Sequence, residues 1–176
     1  MGRPQSANGS APPPRILIVG AGFGGIALGI RLLRAGIDSF RILEREESIG
    51  GVWRDNVYPG LTCDIPSHLY SLSFEPNAEW SRRYASRDEI LAYEERLVTK
   101  YGLGRHIQTG TEVARADFEE GEVVWRVTTG DGETIEADLV VCATGQLSRP
   151  APAQLPGVDD FGGPVFSACF SLMKGF

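Results

Sequence analysis

Lysine is nearly absent from this sequence of 176 residues: two of its 17 basic residues are lysines, and the others are arginines. Acidic residues outnumber basic ones, which gives a formal net charge of −6 at pH 7, and no Lys/Arg-rich block occurs. Proteins that bind nucleic acid or anionic membranes usually carry clustered positive charge. The charge pattern therefore predicts neither a nucleic-acid partner nor a membrane partner.

Cysteines and long hydrophobic runs are also scarce. Cys63, Cys142 and Cys169 are widely spaced and form no C-x-x-C pair, which excludes a disulfide framework and a zinc site. No apolar run reaches the roughly 18 residues that a membrane-spanning helix needs. We therefore expect reduced thiols, no metal centre and a cytoplasmic protein.

Glycine is the abundant residue, at 22 of 176 against a usual share of about 7 %. The glycines cluster without a three-residue period, which indicates functional loops rather than collagen. The Pro/Ser/Gly-rich residues 1–14 predict a disordered tail. We expect one domain over residues 15–150, and a linker or truncated end over residues 151–176, where no strong element occurs.

A β-α-β pattern opens the domain. Residues 15–20 (RILIVG) form a short apolar run that ends in glycine, as in a buried parallel strand. Residues 23–35 have helical spacing, with Gly36 as a stop signal, and residues 40–44 (FRILE) predict a second strand. Together these segments form one β-α-β unit of about 30 residues.

The rest of the domain mixes a loop, a helix and further strands. Residues 48–79 lack periodicity and predict a long ordered loop. Ser86 and Glu89 form a capping box that starts a helix. Its residues at helical spacing are Ile90, Leu91, Tyr93, Glu94, Leu97, Val98 and Tyr101. Alternation at about 111–137 predicts a small antiparallel β-meander, and residues 138–143 another central parallel strand. The fold class is therefore α/β, Rossmann-like, with a parallel sheet and an inserted meander.

A G-x-G-x-x-G motif lies between the first strand and the helix. Gly20 permits the tight turn, Gly22 lets the backbone approach a pyrophosphate, and Gly25 allows close packing of helix and strand. Glu44 follows Gly25 by 19 residues and ends the second strand, where a carboxylate can accept hydrogen bonds from ribose hydroxyls. The motif predicts a dinucleotide site for NAD or FAD, and the acid disfavours a 2′-phosphate.

Two further segments allow more than one interpretation. Gly50 and Gly51 are a second pair of glycines at which the backbone could pass close to a ligand. Trp53 is either a platform for a flat ring or a partly buried loop residue. Asp64 is either a site residue or the cap of a turn.

Several strings together resemble the N-terminal FAD segment of class B flavoprotein monooxygenases, and most closely their Baeyer–Villiger branch. The strings are GAGFGG, ILERE, IGGVWRDNVYPGLTCDIPSHLYSLSF, VVCATGQLSRP and LPGVDDFGG. The resemblance extends from residue 15 to about residue 166. It implies a Rossmann-like FAD-binding domain that is about the first third of such an enzyme.

The resemblance also implies which residues bind the cofactors, FAD and NADPH. They are Gly20, Gly22, Phe23, Gly24, Gly25, Glu44, Arg45, Gly51, Val52, Trp53, Thr62, Cys63, Asp64, Tyr70, Val113 and Gly145. In the family, the glycine loop holds the FAD pyrophosphate and Glu44 holds the adenosine ribose. The segment 51–53 approaches the flavin with Asp64 and Tyr70 nearby, Val113 contacts the adenine through its backbone, and residues 143–145 pass beside the cofactor. Residues 62–64 meet NADPH over the flavin.

Such enzymes reduce FAD with NADPH and use O₂ to insert one oxygen atom into a ketone or a heteroatom substrate. The sequence departs from the family in two ways. It contains no second G-x-G-x-x-G for NADPH, and the family motif F-x-G-x-x-x-H-x-x-x-W opens at Phe161 and Gly163 but has Ser167 and Ser171 at its His and Trp positions. No catalytic residue is predicted.

Two functions follow as hypotheses from these residues. The chain is the FAD-binding part of a monooxygenase, or it is a stand-alone FAD- or nucleotide-binding module without turnover of its own. A disulfide reductase fits less well, because a C-x₄-C or C-x-x-C redox pair is absent.

Overall fold

Two β-sheets and three α-helices organise the computed structural model, which describes residues 12–148, 156, 157, 160 and 162. The strands are β1 (Ile16–Val19), β2 (Phe40–Leu43), β3 (Ile107–Gln108), β4 (Val113–Glu119), β5 (Val124–Thr129), β6 (Thr134–Ala137) and β7 (Leu139–Cys142). The helices are α1 (Phe23–Arg34), α2 (Gly51–Asp55) and α3 (Arg87–Lys100), and a 3₁₀ helix covers Leu103–His106.

The parallel sheet has the strand order β3-β2-β1-β7. Val19, the last residue of β1, is in register with Leu43 of β2 and with Cys142 of β7. Three strands therefore end in one row, and the loops that follow them meet at the same edge of the sheet. Ligands bind at this carboxyl edge in open α/β sheets.

Both faces of this sheet are covered, which explains its apolar strands. Ile18 and Ile42 are fully buried in a cluster with α1 and α3. Leu17 points to the opposite face and packs in a second cluster with Val127 and Ile135 of the antiparallel sheet β4-β5-β6. The strand alternation thus places helices on one side of the parallel sheet and the meander on the other.

The predicted fold class is confirmed, and most elements lie where the sequence placed them. The capping box at α3 is present: Glu89 N–H donates to Ser86 Oγ, and Ser86 N–H donates to Glu89 Oε2. The predicted meander corresponds to β4, β5 and β6.

Three details differ from the sequence prediction. The loop 48–79 contains the helix α2, and the short 3₁₀ helix and β3 were not predicted, because elements of two to five residues carry no readable period. Residues 138–143 were expected to form a central strand. Among the strands described, β7 lies at an edge of the sheet and Leu139 is half exposed.

Several sequence predictions lie outside the described residues. They concern residues 1–11 of the tail, most of the segment 151–176, Cys169 and the altered family motif at residues 161–171. Across the described ranges, no helix is both long enough and apolar enough to cross a bilayer.

Candidate functional site

A cleft of about 270 Å³ opens at the carboxyl edge of the parallel sheet. It is formed by the loops after β1, β2 and β7, by α2 and by the start of β4. Its lining comprises Val19, Gly20, Gly22, Phe23, Gly24, Leu43, Glu44, Arg45, Gly50, Gly51, Val52, Trp53, Arg54, Asp55, Tyr70, Thr111, Glu112, Val113, Ala143, Thr144, Gly145 and Ser148. The cleft is open to one side, so a ligand longer than the cleft can extend out of it.

Two glycines of the motif are required by packing. Gly20 has a φ of +106°, and a Cβ there would lie 2.6 Å from the carbonyl oxygen of Ala143. A Cβ at Gly25 would lie 1.9 Å from the carbonyl oxygen of Gly20. Gly25 itself is buried and does not line the cleft. These contacts fix the turn from β1 into α1.

Gly22 exposes its backbone to the cleft. Its φ is −87°, so its conformation does not require glycine. A Cβ there would lie 3.6 Å from Gly51 Cα, and one at Gly51 would lie 3.4 Å from Gly22 Cα. These are van der Waals distances, so the two bare backbones pack closely against each other and a ligand can approach them only from the cleft that they line.

The N-terminus of α1 adds a positive potential to this position. No side chain caps its first turn, and the first turn carries no acidic residue. The unpaired N–H groups and the positive end of the helix dipole suit an anion such as a pyrophosphate. Phe23, the first helical residue, packs its ring edge-on against Tyr70 with the centroids 5.1 Å apart.

Glu44 is held rigidly at the other end of the cleft. It is 6 % exposed, which distinguishes it from its exposed neighbour Arg45, whose guanidinium pairs with Glu46 on the surface at 3.0 Å. Glu44 Oε2 accepts a hydrogen bond from the N–H of Ala21 at 2.8 Å, and Oε1 accepts one from the N–H of Glu46 at 3.1 Å. Glu44 is therefore a fixed acceptor group and not part of a solvated charge run.

Arg54 lines the cleft and was missed by the sequence prediction. Its Nη1 lies 3.3 Å from Glu44 Oε1, and its Nη2 lies 2.6 Å from Asp55 Oδ1. It also donates to the carbonyl oxygen of Ser48. Arg54 lies within one helical turn of Gly51, and its place in the cleft could have been predicted only if α2 had been recognised as a helix.

Trp53 and Tyr70 both line the cleft and are joined by a hydrogen bond. The indole Nε1–H donates to the Tyr70 hydroxyl at 2.9 Å, and the rings meet edge-to-face. Burial raises the pKa of Tyr70, an effect that the hydrogen bond from Trp53 partly offsets. The phenol is therefore protonated at neutral pH, and both aromatic rings are fixed in orientation.

Two further predicted segments line the cleft. Val113 begins β4, and the N–H of Thr111 donates to the Glu44 carbonyl oxygen at 2.8 Å, which ties this segment to the end of β2. Gly145 has a φ of +72° and follows β7. Both line the cleft with Val52.

The residues predicted to meet NADPH do not line this cleft. Cys63 is 3 % exposed and packs with Ala85 and Ile90 beneath the loop, and burial raises the pKa of its thiol. Thr62 is paired with Ser86 in an isolated antiparallel bridge. Asp64 is exposed on the outer side of the same loop. Their contact with NADPH stays a prediction.

A second cavity, of about 680 Å³, lies across α3 and the loop before it. Its polar lining includes the ion pair between Glu75 and Lys100 and the cation–π contact of Arg96 with Tyr93. These charges already have partners within the protein, and no glycine loop or helix N-terminus borders the cavity. We therefore assign the candidate site to the first cleft.

The cleft at the sheet edge has the parts that a dinucleotide requires. Bare backbone at Gly22 and Gly51, a helix N-terminus and a buried acceptor at Glu44 follow one another along it. Together with the parallel sheet, these features define a Rossmann-type dinucleotide-binding domain.

Comparison with known proteins identifies the family of the chain. A family model described as pyridine nucleotide-disulphide oxidoreductase matches residues 17–170. The chain therefore belongs to the pyridine nucleotide-disulphide oxidoreductase family.

Individual relatives and solved structures narrow the similarity to monooxygenases. A Baeyer–Villiger monooxygenase of Streptomyces coelicolor is 47 % identical over 152 residues, which are 86 % of this chain and 29 % of that protein. The solved structure of OTEMO in complex with FAD and NADP has 30 % identity and a TM-score of 0.76, covering 91 % of this chain and 31 % of that one. The ε-caprolactone-bound structure of cyclohexanone monooxygenase has 38 % identity and a TM-score of 0.73, covering 86 % and 30 %.

These similarities confirm the resemblance to class B flavoprotein monooxygenases, and they locate it. The matched part is the N-terminal, FAD-binding part of the relatives. The chain spans about 29 % of the length of the Streptomyces relative.

Proposed function

We propose that the chain binds FAD in the cleft, with its pyrophosphate against the bare backbone of Gly22 and Gly51 at the N-terminus of α1. The adenosine ribose lies at Glu44, and the flavin lies toward Trp53 and Tyr70. The observation that carries this proposal is the buried, doubly hydrogen-bonded carboxylate of Glu44 at the same sheet edge as the glycine turn. A surface glutamate would not supply such a fixed acceptor.

The remaining lining residues complete the proposed site. The backbone at Val113 contacts the adenine, Gly24 and Phe23 contribute N–H groups of the first helical turn, and Gly145 passes beside the cofactor. The two phosphates of FAD carry negative charge, and the cationic side chains of the lining are Arg45 and Arg54. Both arginines are already paired with carboxylates, so the helix N-terminus is the feature that favours the anionic centre of the cofactor over a neutral ligand.

For the protein as a whole, we propose an NADPH- and O₂-dependent monooxygenase that acts in the cytoplasm on a ketone or a heteroatom compound. The support is the set of relatives, which include the OTEMO complex with FAD and NADP and the cyclohexanone monooxygenase with bound ε-caprolactone. FAD would supply the redox and oxygen chemistry. This chain's residues would bind and orient FAD, and residues 62–64 would contact NADPH.

A second candidate is an FAD- or nucleotide-binding module without turnover of its own. The observation that favours it is the altered family motif, which has Ser167 and Ser171 at its His and Trp positions. A disulfide reductase is not supported: Cys63 and Cys142 are free thiols, and the sequence has no closely spaced cysteine pair.

FAD binding tests the premise that both candidates share. The purified chain, incubated with FAD and freed of excess cofactor, should retain the visible absorption of oxidised flavin. Gly22→Val should abolish this retention, because its side chain would crowd Gly51 and cover the backbone that the pyrophosphate approaches, without straining the backbone of residue 22 itself. Gly121→Val is the matched control, since Gly121 is exposed in a turn with no atom within 4 Å of a Cβ. Equal retention by both variants would contradict the site assignment.

NADPH oxidation separates the two candidates. We expect the FAD-loaded chain alone to oxidise NADPH slowly or not at all. We expect rapid, FAD-dependent oxidation from the protein that carries this chain together with a second dinucleotide-binding domain. If that longer protein also fails to oxidise NADPH while retaining FAD, the module without turnover is the better assignment.

A further inference from the structure

The proposed site places a buried negative charge next to the position of a diphosphate. Glu44 Oε2 accepts a hydrogen bond from the N–H of Ala21 at 2.8 Å, and Ala21 directly precedes Gly22 and the N-terminus of α1. The side chain of Glu44 is 8 % exposed, so little solvent screens its charge. A diphosphate at the start of α1 is therefore repelled by the same group that accepts hydrogen bonds from the ribose.

Arg54 is the cation that contacts this carboxylate in the part of the chain that the structure describes. Its Nη1 lies 3.3 Å from Glu44 Oε1, and its side chain is 15 % exposed. The guanidinium also donates to the carbonyl oxygen of Ser48 and, from Nε at 2.8 Å, to Asp55 Oδ1. The backbone carbonyl oxygen of Arg54 accepts a hydrogen bond from Arg87 at 2.8 Å. Both the backbone and the side chain of Arg54 are therefore fixed beside Glu44.

The side chains that line the cleft do not favour an anion by their summed charge. The charged ones are Glu44, Arg45, Arg54, Asp55 and Glu112. With three carboxylates and two guanidinium groups, this lining is net negative. Arg45 pairs with a carboxylate on the surface, where solvent screens both charges. Arg54 is therefore the cation that offsets the charge of Glu44 where the ligand binds.

Building on the proposed FAD site, we propose that Arg54 is the counter-charge that allows this cleft to hold a ribose acceptor and a diphosphate side by side. Its guanidinium is already bonded to Glu44, Ser48 and Asp55, so it acts through Glu44 and is a positioning residue. The N–H groups of α1 bind the phosphates, and Arg54 offsets the repulsion between them and Glu44. The ligand class that Arg54 selects is a nucleoside diphosphate rather than an uncharged nucleoside.

A purely structural role for Arg54 predicts a different pattern of binding. If the guanidinium only holds α2 against the loop that follows β2, its loss weakens every ligand of the cleft by a similar factor. If its charge offsets Glu44, the loss falls on charged ligands, because a Coulomb interaction needs a charge on both sides. Adenosine and ADP separate these cases, since both carry the ribose that Glu44 binds and only ADP carries the diphosphate.

The test measures the dissociation constants for ADP and adenosine by ligand-detected NMR in the wild-type chain and its variants. In Arg54→Met, the constant for ADP should rise by about 30-fold and that for adenosine by about threefold at most. Arg54→Lys keeps the charge, so its constant for ADP should stay within about threefold of the wild type. Arg115→Met is the matched control, because it removes an arginine from an exposed pair with Asp117 on the meander. It should change neither constant.

Two further measurements test the same charge balance. Asp55→Asn leaves Arg54 in place and removes its more exposed carboxylate partner, so it should strengthen ADP binding by about twofold to threefold. The loss of ADP affinity in Arg54→Met should shrink as KCl is raised from about 0.01 M to about 1 M, because salt screens the interaction that was removed. A structural defect in α2 would not respond to salt in this way.

Equal losses of ADP and adenosine affinity in Arg54→Met would overturn the inference and leave FAD binding intact. An Arg54→Lys chain as weak as Arg54→Met, a loss that salt does not reduce, or no gain in Asp55→Asn would overturn it as well. A wild-type chain that retains neither FAD nor ADP would contradict the proposed function itself.

Discussion

Glu44 and Glu94 are both buried carboxyl groups near Arg54, and their surroundings are opposite. Glu44 follows a strand at the edge of the sheet, where backbone N–H groups and a guanidinium meet its oxygens. Glu94 lies in the interior of a helix, where every backbone N–H is already used, and its oxygens have no hydrogen-bond partner among the described residues. The comparison shows that in this fold the ends of strands provide partners for a buried charge and the middle of a helix does not.

Glu44 and Glu94 therefore have different effects on the stability of the chain. The acceptor at Glu44 stabilises the loop that it binds and is available to a ligand. The acid at Glu94 carries the desolvation penalty of a buried polar group without a compensating hydrogen bond. Stability of the cofactor-free chain therefore explains a carboxylate at position 44 and does not explain one at position 94.

Removing Glu44 should have the largest effect on stability. Glu44→Ala leaves the N–H of Ala21 without its acceptor and removes the buried carboxylate that pairs with Arg54 at 3.3 Å, which should lower the free energy of unfolding by about 3 kcal/mol. Urea denaturation of the cofactor-free chain measures this loss. Glu47→Ala, an exposed position in the same segment, is the control and should change stability by less than about 0.5 kcal/mol. Equal effects would mean that Glu44 is not a structural anchor of the loop.

The raised pKa of Glu94 should make the free energy of unfolding depend on pH. Its pKa in the folded chain, about 9, is raised above the ordinary value of 4.5 because burial penalises the charged form. Between pH 4.5 and about 9, Glu94 has lost its proton in the unfolded chain and keeps it in the folded chain. Its contribution to the free energy of unfolding is therefore largest at low pH and declines as the pH rises. The slope is at most about 1.4 kcal/mol per pH unit.

Urea denaturation of the cofactor-free chain at several pH values between about 5 and 8 measures this slope. Glu94→Gln should reduce it, and Glu95→Gln, on the exposed side of α3, should not. A slope that is the same in the wild type and in Glu94→Gln would show that the acid at position 94 is already ionised in the folded chain.

The sequence predicts those features of the site that residues close together in the chain determine. The glycine turn, the strand end at Glu44 and the capping box at Ser86 each follow from residues within a few positions of one another, and all three are in the structure. Helical spacing also assigns Glu94 to the same face as Ile90 and Leu97, both of which are buried.

The sequence does not predict that Arg54 and Glu94 influence each other, because residues distant in the chain determine their positions. Arg54 enters the cleft only because five residues form the helix α2, which is too short for a periodic signal. Glu94 begins the run Glu94-Glu95-Arg96, which has the composition of a solvated helix face. Only the packing of α2 against α3 buries it and brings it under the influence of Arg54.

The smallest effect is expected from replacing the unpartnered acid with an apolar side chain. Glu94→Leu removes the desolvation penalty and keeps a similar volume in contact with the same neighbours, so the cofactor-free chain should become more stable by about 1–2 kcal/mol at neutral pH. Thermal unfolding measures the gain, and Glu95→Leu, on the exposed side of the helix, should give none. A loss of stability in Glu94→Leu would show that the carboxyl group has a partner and that the contrast with Glu44 does not hold.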